Sequence, residues 1–387
     1  MQCVDVCVVG GGPAGATVAT LLARSGRSVF LAESGTFATD GPGEYLASDV
    51  RPALATIGLD LVAAESPGTV SCWTDEPTIR SAITNAFGGA RSVRRGDFDR
   101  ALTEHAAAAG AVVAYRHRFL TAARRSVGWD VTFSCDHATC VISADFVVDA
   151  TGRRAAVAQR FGATVERVDT LTAFATWLGP LPSVAGEFRM LHIEAVEGGW
   201  WCAIALPEDV LSLTFFAPLA AMRRRQICAR QLWNEALARS RVIAPLLPKE
   251  AWQPVRLRAF PAAPALTAPV CGHDWLAVGD AAVQFDPLEG RGVRRALELA
   301  FRAAEALQLD PSQRDQVLPL YATVMESWHA AHRLHRMKVY QDAASRLGPA
   351  FLADLDASHA LSQRRISRSR FSARQAPRYS RSASQGA

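Results

Sequence analysis

The chain has 387 residues, 49% of them hydrophobic, with 20 prolines and 8% aromatic residues. That is enough for one large or two medium domains with real cores, and it excludes a mini-protein or a wholly disordered chain. The net charge of +5 is local: seven arginines (Arg364, Arg365, Arg368, Arg370, Arg374, Arg378, Arg381) and no acid lie between Ser362 and Ala387. The first 361 residues therefore carry 35 basic against 37 acidic side chains, which gives the core no electrostatic reason to bind nucleic acid. Eight cysteines are too sparse for a stapled scaffold, and no apolar run approaches 18 residues. No basic segment precedes an apolar stretch at the N-terminus, so a soluble protein of a reducing compartment, cytoplasmic, is expected.

Val4 to Val9 is an almost unbroken β-branched run that ends in Gly10-Gly11-Gly12-Pro13-Ala14-Gly15, followed by an alanine- and leucine-rich segment to Arg24. This predicts strand, tight turn and helix. Ser28 to Ala32 reads as a second strand closing on Glu33, completing a β-α-β unit of the kind found in parallel sheets. A punctuated stretch, Gly35 to Gly43, precedes a helical pattern from Leu46 to Ile57. Phe98 to Ala109 predicts another helix and Val112 to Tyr115 a strand. Gly128 to Cys140 reads as antiparallel strands, and Ala144 to Ala150 as a separate buried strand running into Asp149-Ala150-Thr151-Gly152.

The texture then changes. Leu171 to Leu178, Arg189 to Glu194, Trp200 to Leu206 and Leu211 to Phe216 alternate like strands of an antiparallel sheet. A core strand returns at Trp275 to Val278, followed by Gly279-Asp280 and a long helix from Gly292 to Leu307. The expected fold class is α/β, a Rossmann-like three-layer cofactor domain, discontinuous over 1–62, 92–162 and 266–310. An inserted antiparallel-sheet substrate domain (α+β) takes 63–91 and 163–265. A C-terminal helical region takes 311–361, and 362–387 is expected to be a basic disordered tail.

The strongest motif is Gly10-x-Gly12-x-x-Gly15 between strand and helix, with Pro13 and Ala14 leading into the first turn. The first glycine permits the turn, the second lets backbone approach a pyrophosphate, and the third lets helix pack on strand. Glu33 falls where a carboxylate can accept hydrogen bonds from an adenosine ribose, which favours an unphosphorylated ribose. The motif alone does not separate a flavin from a nicotinamide.

The later segments Asp149-Ala-Thr-Gly152-Arg153 and Gly279-Asp280-Ala-Ala-Val-Gln-Phe-Asp286-Pro287-Leu-Glu289-Gly290-Arg291-Gly292 resemble those of the FAD-dependent monooxygenase superfamily, which also holds flavin halogenases and geranylgeranyl reductases. The resemblance implies an FAD-binding domain in which Asp280 contacts the ribityl and pyrophosphate region and Pro287 to Gly292 runs beside the isoalloxazine. Arg95, in Arg95-Gly-Asp-Phe98-Asp99, matches an arginine that helps to hold the cofactor.

Further stretches, Gly43-Glu44-Tyr-Leu46, Cys72-Trp73-Thr-Asp-Glu76 and Gly199-Trp200-Trp201 to Leu206-Pro207, are similar to flavoproteins that mature quinone-cofactor oxidases by hydroxylating a tryptophan of a partner protein. The implied activity is an FAD-dependent monooxygenase that hydroxylates an electron-rich aromatic group through a flavin C4a-hydroperoxide, with O2 as co-substrate. A tryptophan side chain of a protein or peptide is among its candidate targets, and Trp73, His192, Trp200 and Trp201 are candidate substrate contacts. Trp200 and Trp201 have an equal reading as sheet packing.

Halogenases of the superfamily use a lysine in the substrate domain, and this chain has only Lys249 and Lys338, neither in the segment from Trp73 to Arg94. Hydroxylation is thus favoured. A halogenase of an indole or pyrrole, an isoprenoid-type reductase and a non-catalytic flavin-containing binding protein stand as alternatives. Glu76, Glu289 and Arg291 are the catalytic candidates; Glu289 and Arg291 either tune the oxygen chemistry or pair with each other.

No metal site is expected. Cys135-Asp-His137-Ala-Thr-Cys140 offers three ligands on a hairpin without a fourth at zinc spacing. His329, His332 and His335 read as polar surface or a partner contact. No NAD(P)H domain is visible, so electrons are expected from NAD(P)H docking transiently or from a flavin reductase. The basic tail is available to an acidic partner.

Overall fold

The computed structural model describes residues 2–37, 41, 45–60, 63, 65–136 and 138–355. Gly43, Glu44, His137 and the arginine-rich tail lie outside them. Strand β1 (Gln2–Val9) leads through the glycine turn into α1 (Pro13–Arg24) and β2 (Val29–Ala32). After α2 (Val50–Thr56) come β3 (Gly68–Cys72), β4 (Thr78–Ser81) and α3 (Arg95–Ala108). The next four strands are β5 (Val112–Ala114), β6 (His117–Arg124), β7 (Trp129–Cys135) and β8 (Ala138–Asp149). Then follow β9 (Leu171–Leu178), β10 (Leu191–Val196), β11 (Gly199–Leu206), β12 (Val210–Pro218), β13 (Arg258–Pro261) and β14 (Trp275–Ala277), closed by α4 (Gly292–Gln308) and α5 (Pro311–Asp342).

Two large sheets organise these elements. In the first, β14, β8, β1, β2 and β5 run parallel in that order. The C-terminal half of β1 and all of β2 are buried, which explains why both read as near-continuous apolar runs. Helix α1 packs between α3 and α4 over this sheet. The second sheet has the order β13-β9-β12-β11-β10-β3-β4. It is antiparallel throughout except where β3 lies parallel to β10, Thr69 opposite Leu191. That junction departs from the expected pure antiparallel sheet, because β3 arrives from a distant part of the chain instead of through a hairpin. The α/β fold with a Rossmann-like parallel sheet, a mostly antiparallel second sheet and C-terminal helices is the one expected from the sequence.

Three local expectations are corrected. The helix proposed over Leu46 to Ile57 shortens to α2, since Leu46 is taken by a strand pair with Arg91. The separate strands around Cys140 and Ala144 are one 12-residue strand, β8, which pairs with β7 at its start and β1 further on. His329 and His332 are buried, leaving His335 alone of the three exposed: His332 packs on Phe285 and bonds Asp286 and Glu289, so this face of α5 meets protein and not water. Among the described residues no helix is long and apolar enough to cross a membrane, and no disulfide forms.

Candidate active site

The glycine turn is built by contact. A Cβ on Gly10, whose φ is +111°, would lie 2.1 Å from the Ala150 carbonyl oxygen, and one on Gly15 would lie 2.0 Å from that of Gly10. Only hydrogen fits at either place, so β1, α1 and the turn after β8 close on each other. Gly12 differs: a Cβ there would meet nothing within 4 Å. Gly12 is the N-cap of α1, no side chain caps the helix, and Pro13 occupies its first turn. The first-turn amides thus lack intrahelical partners beside the open space at Gly12, a setting that suits an anionic pyrophosphate.

Glu33 borders the same space. Its Oε2 accepts the Gly11 amide at 2.7 Å and its Oε1 the Gly35 amide at 2.7 Å. Oε1 also accepts from Ser34 Oγ at 3.2 Å, so it is Oε2 that keeps a further lone pair for a ribose hydroxyl. Arg95 holds Asp99 with two hydrogen bonds, at 3.1 and 2.8 Å. Burial pushes the Asp99 carboxyl up despite Arg95, and Glu33 adds to the rise.

Asp149 belongs to the framework. It is fully buried, and its carboxylate accepts hydrogen bonds from Thr151 N–H, Thr151 Oγ1 and Ala158 N–H. Those bonds fix the turn around Gly152, whose φ is +64°; they leave Asp149 no free face for a cofactor, which corrects its expected direct role. Asp280 is partly exposed and pairs with Arg153 at 3.4 Å. A Cβ on the preceding Gly279 would come within 2.8 Å of Ala14 Cβ, so this turn sits against the start of α1. Asp280 is thereby placed to reach the same ligand as the glycine turn. These features, the open cradle at Gly12 and the uncapped helix above all, fit a dinucleotide such as FAD.

The segment from Pro287 to Gly292 is open on one side: a Cβ on Gly290 or Gly292 would meet nothing within 4 Å. Gly292 begins α4, again without a side-chain cap. Behind this segment lies a buried polar chain that sequence reading missed. Trp200 Nε1 donates to Tyr340 Oη at 3.1 Å, and Tyr340 donates to Asp286 Oδ2 at 2.7 Å. Arg336 bonds Asp286 at 2.5 Å and pairs with Asp169 at 2.6 Å. The Asp286 amide donates to His332 Nε2 at 2.9 Å, so the imidazole proton sits on Nδ1, which donates to Glu289 Oε1 at 2.8 Å. Arg295 holds the other Glu289 oxygen at 2.6 Å.

The charges follow from this geometry. Burial opposes the ionisation of Glu289, but the His332 hydrogen bond and the Arg295 charge outweigh it and hold the carboxyl below its usual range. Burial works against the Arg336 guanidinium too, and Asp286 and Asp169 overcome it and raise its pKa. Burial and the Asp286 charge push Tyr340 well up, so the phenol keeps its proton. The spacing of His332, Arg336 and Tyr340, four residues apart along α5, was the available signal: it puts three polar groups on one helical face.

The remaining candidates divide. Glu289 pairs with His332 and Arg295, not with Arg291, which instead approaches Asp49 at 3.8 Å; Asp49 also pairs with Arg294. Glu76 stands exposed on the turn between β3 and β4, and no described contact joins it to Glu289 or Arg291. Trp73 packs at 5.7 Å from Trp200 and 6.5 Å from Tyr340. Trp200 also stacks on Phe216 at 3.9 Å, and the same cluster includes Leu288 of the open segment. Trp201 points through the sheet to the other core, against Phe215 and Trp233. His192 goes with it, packed on Phe188 at 5.0 Å. Trp201 and His192 are therefore corrected as substrate contacts, since strand alternation sends them away from Trp200.

Comparison with known proteins agrees with this geometry. LodB of Marinomonas mediterranea, described as an FAD-dependent oxidoreductase, is 28% identical over 354 residues, covering 88% of this chain and 94% of LodB. A tryptophan 2-halogenase of Chondromyces crocatus is 26% identical, over 78% of this chain and 60% of that enzyme. Among solved structures, the peptidyl tryptophan dihydroxylase QhpG superposes with a TM-score of 0.75 at 22% identity, covering 92% of this chain and 79% of QhpG. The flavin-dependent halogenase CmlS gives 0.77 at 20% identity, covering 96% and 70%; both likenesses are of fold. The model of the FAD binding domain family matches residues 3–310, and the chain belongs to that family as an FAD-dependent oxidoreductase of the monooxygenase and halogenase superfamily.

Proposed function

We propose that this oxidoreductase hydroxylates an electron-rich aromatic group, with a tryptophan side chain of a protein or peptide as its leading substrate class. The observation that carries the reading is the unbroken chain from Trp200 through Tyr340, Asp286 and His332 to Glu289. It links an aromatic wall of the second sheet to the open segment expected beside the flavin ring. In this reading residues 63–91 and 163–265 form the substrate unit, and 1–62, 92–162 and 266–310 the cofactor unit.

Bound and reduced FAD would supply the oxygen-activating chemistry. The α1 amides and Gly12 would hold its pyrophosphate, Glu33 its ribose, Asp280 its ribityl hydroxyls, and the α4 N-terminus negative charge on the ring. His332 keeps its Nδ1 proton directed at Glu289 and its Nε2 lone pair on the Asp286 amide, which fixes the backbone from Asp286 to Glu289. Tyr340, held protonated, orients Trp200. Trp73 and Trp200 wall the aromatic substrate and exclude water.

Halogenation is the second reading, favoured by the names of several relatives, including the tryptophan 2-halogenase. Against it, both lysines of the chain, Lys249 and Lys338, are exposed. The test is to supply reduced holoenzyme, or holoenzyme with NAD(P)H or a flavin reductase, with oxygen, halide, and indole or tryptophan-peptide substrates, and to read product mass. Gain of oxygen supports hydroxylation; gain of chlorine or bromine overturns it.

A further inference from the structure

Outside this site, the meander β6–β7–β8 gathers three soft ligands. A nitrogen of His117 and the sulfurs of Cys135 and Cys140 lie within 4.8 Å of one another, all half-buried. Strand register explains the meeting. His117 is the cross-strand partner of Cys135, and Cys140 is opposite Phe133, two residues along the same strand, so the three share one face. His137 of the Cys135-x-His137-x-x-Cys140 spacing lies outside the described residues; among those described, the third ligand is His117, 18 residues before Cys135 on a neighbouring strand.

The imidazole is already oriented as a ligand would be. His117 Nδ1 lies 2.8 Å from the Tyr115 carbonyl oxygen, to which it donates, leaving the Nε2 lone pair for a further partner. Phe30 and Phe133 wall the ring at 5.9 and 6.2 Å. We propose that His117, Cys135 and Cys140 bind a thiophilic divalent cation of the zinc class, with an exchangeable fourth position. Two thiolates neutralise the dication, and the N/S donor set is the one such ions prefer over oxygen-seeking magnesium or calcium.

The site is tied to the cofactor groove. The His117 amide donates to the Glu33 carbonyl oxygen at 2.8 Å, and the Arg116 amide to that of Gly35 at 3.3 Å. A bound cation pins the meander to the end of β2 that carries Glu33, so it tightens retention of FAD.

The test is titration of thiol-reduced holoprotein with Co2+, followed by displacement with Zn2+. One equivalent with thiolate-to-cobalt charge-transfer absorption is expected, lost in Cys135→Ser and Cys140→Ser, weakened at least tenfold in His117→Gln, and unchanged in Cys228→Ser. An unchanged far-UV circular dichroism spectrum certifies that each variant is folded. Absence of the band in the reduced holoprotein overturns the assignment, as does a band that survives Cys140→Ser. A Cys135–Cys140 disulfide that persists in protein purified under reducing buffer does so too.

Discussion

Trp200 and Trp201 leave opposite faces of β11, and the two faces are built by different rules. On the far face Trp201, Trp233, Phe215 and Phe188 are buried together, and the indole N–H groups of Trp201 and Trp233 are satisfied by the backbone carbonyls of Ala236 and Ala251. Hydrophobic burial accounts for these four aromatic side chains, with both indole N–H groups spent on backbone. On the near face the Trp200 N–H goes to a phenol, the phenol to a carboxylate, and the carboxylate to an arginine and, through its own backbone, a histidine. Burying such groups is costly unless every one is paired. They lie behind the open segment from Pro287 to Gly292, where the proposed function would use them.

Substitutions on the two faces test that contrast. The largest effect is expected from Arg336→Met, which leaves Asp286 and Asp169 buried without their cation and costs about 3–5 kcal/mol in urea unfolding, with loss of activity. Trp201→Ala should cost nearly as much, about 3–5 kcal/mol, but leave product formed per folded molecule unchanged below the transition. An equal loss of turnover in Trp201→Ala would collapse the distinction between the faces. Tyr340→Phe removes one hydroxyl and leaves the Trp200 indole N–H unpaired, costing about 1–3 kcal/mol. Here turnover should fall with the cofactor still bound, which flavin absorbance and product yield measure together.

The smallest effect concerns pH. His329 is buried on α5 with no hydrogen-bond partner at Nε2, and burial, with Arg333 and His332 adding repulsion, pushes it from 6.5 down to about 4. Between those values the unfolded chain binds more protons than the folded one, so stability rises with pH there. The contribution is complete above pH 6.5 and lost as pH falls toward 4. His329→Gln should flatten this part of the melting temperature against pH profile, and an unchanged profile would place the proton uptake elsewhere.

What could be read from the sequence was local. Gly10, Gly12 and Gly15 are demanded by backbone approaches within one β-α turn, and Glu33 follows at the end of the next strand, so a short window of chain sufficed. The alternation of β9, β11 and β12 was equally legible, because a strand displays its two faces in consecutive residues. Alternation could not say which face looks at the flavin segment, and so Trp200 was read together with Trp201 and His192. Asp149 carried a correct motif and the wrong role, since only the folded turn reveals that its carboxylate is consumed by Thr151 and Ala158.

The sequence by itself determined the β-α-β cofactor unit and the second sheet, because these rest on periodicity and glycine spacing that the chain carries locally; the flavin came only from the resemblance of the segments around Asp149 and Asp280 to those of a known family. Only the tertiary structure decided the company kept by distant residues. It brought α5 down on Asp286 and made His332, Arg336 and Tyr340 one chain with Glu289, and it set His117 beside Cys135 and Cys140. Such pairings depend on how sheets stack and helices cross, which no single stretch of sequence encodes.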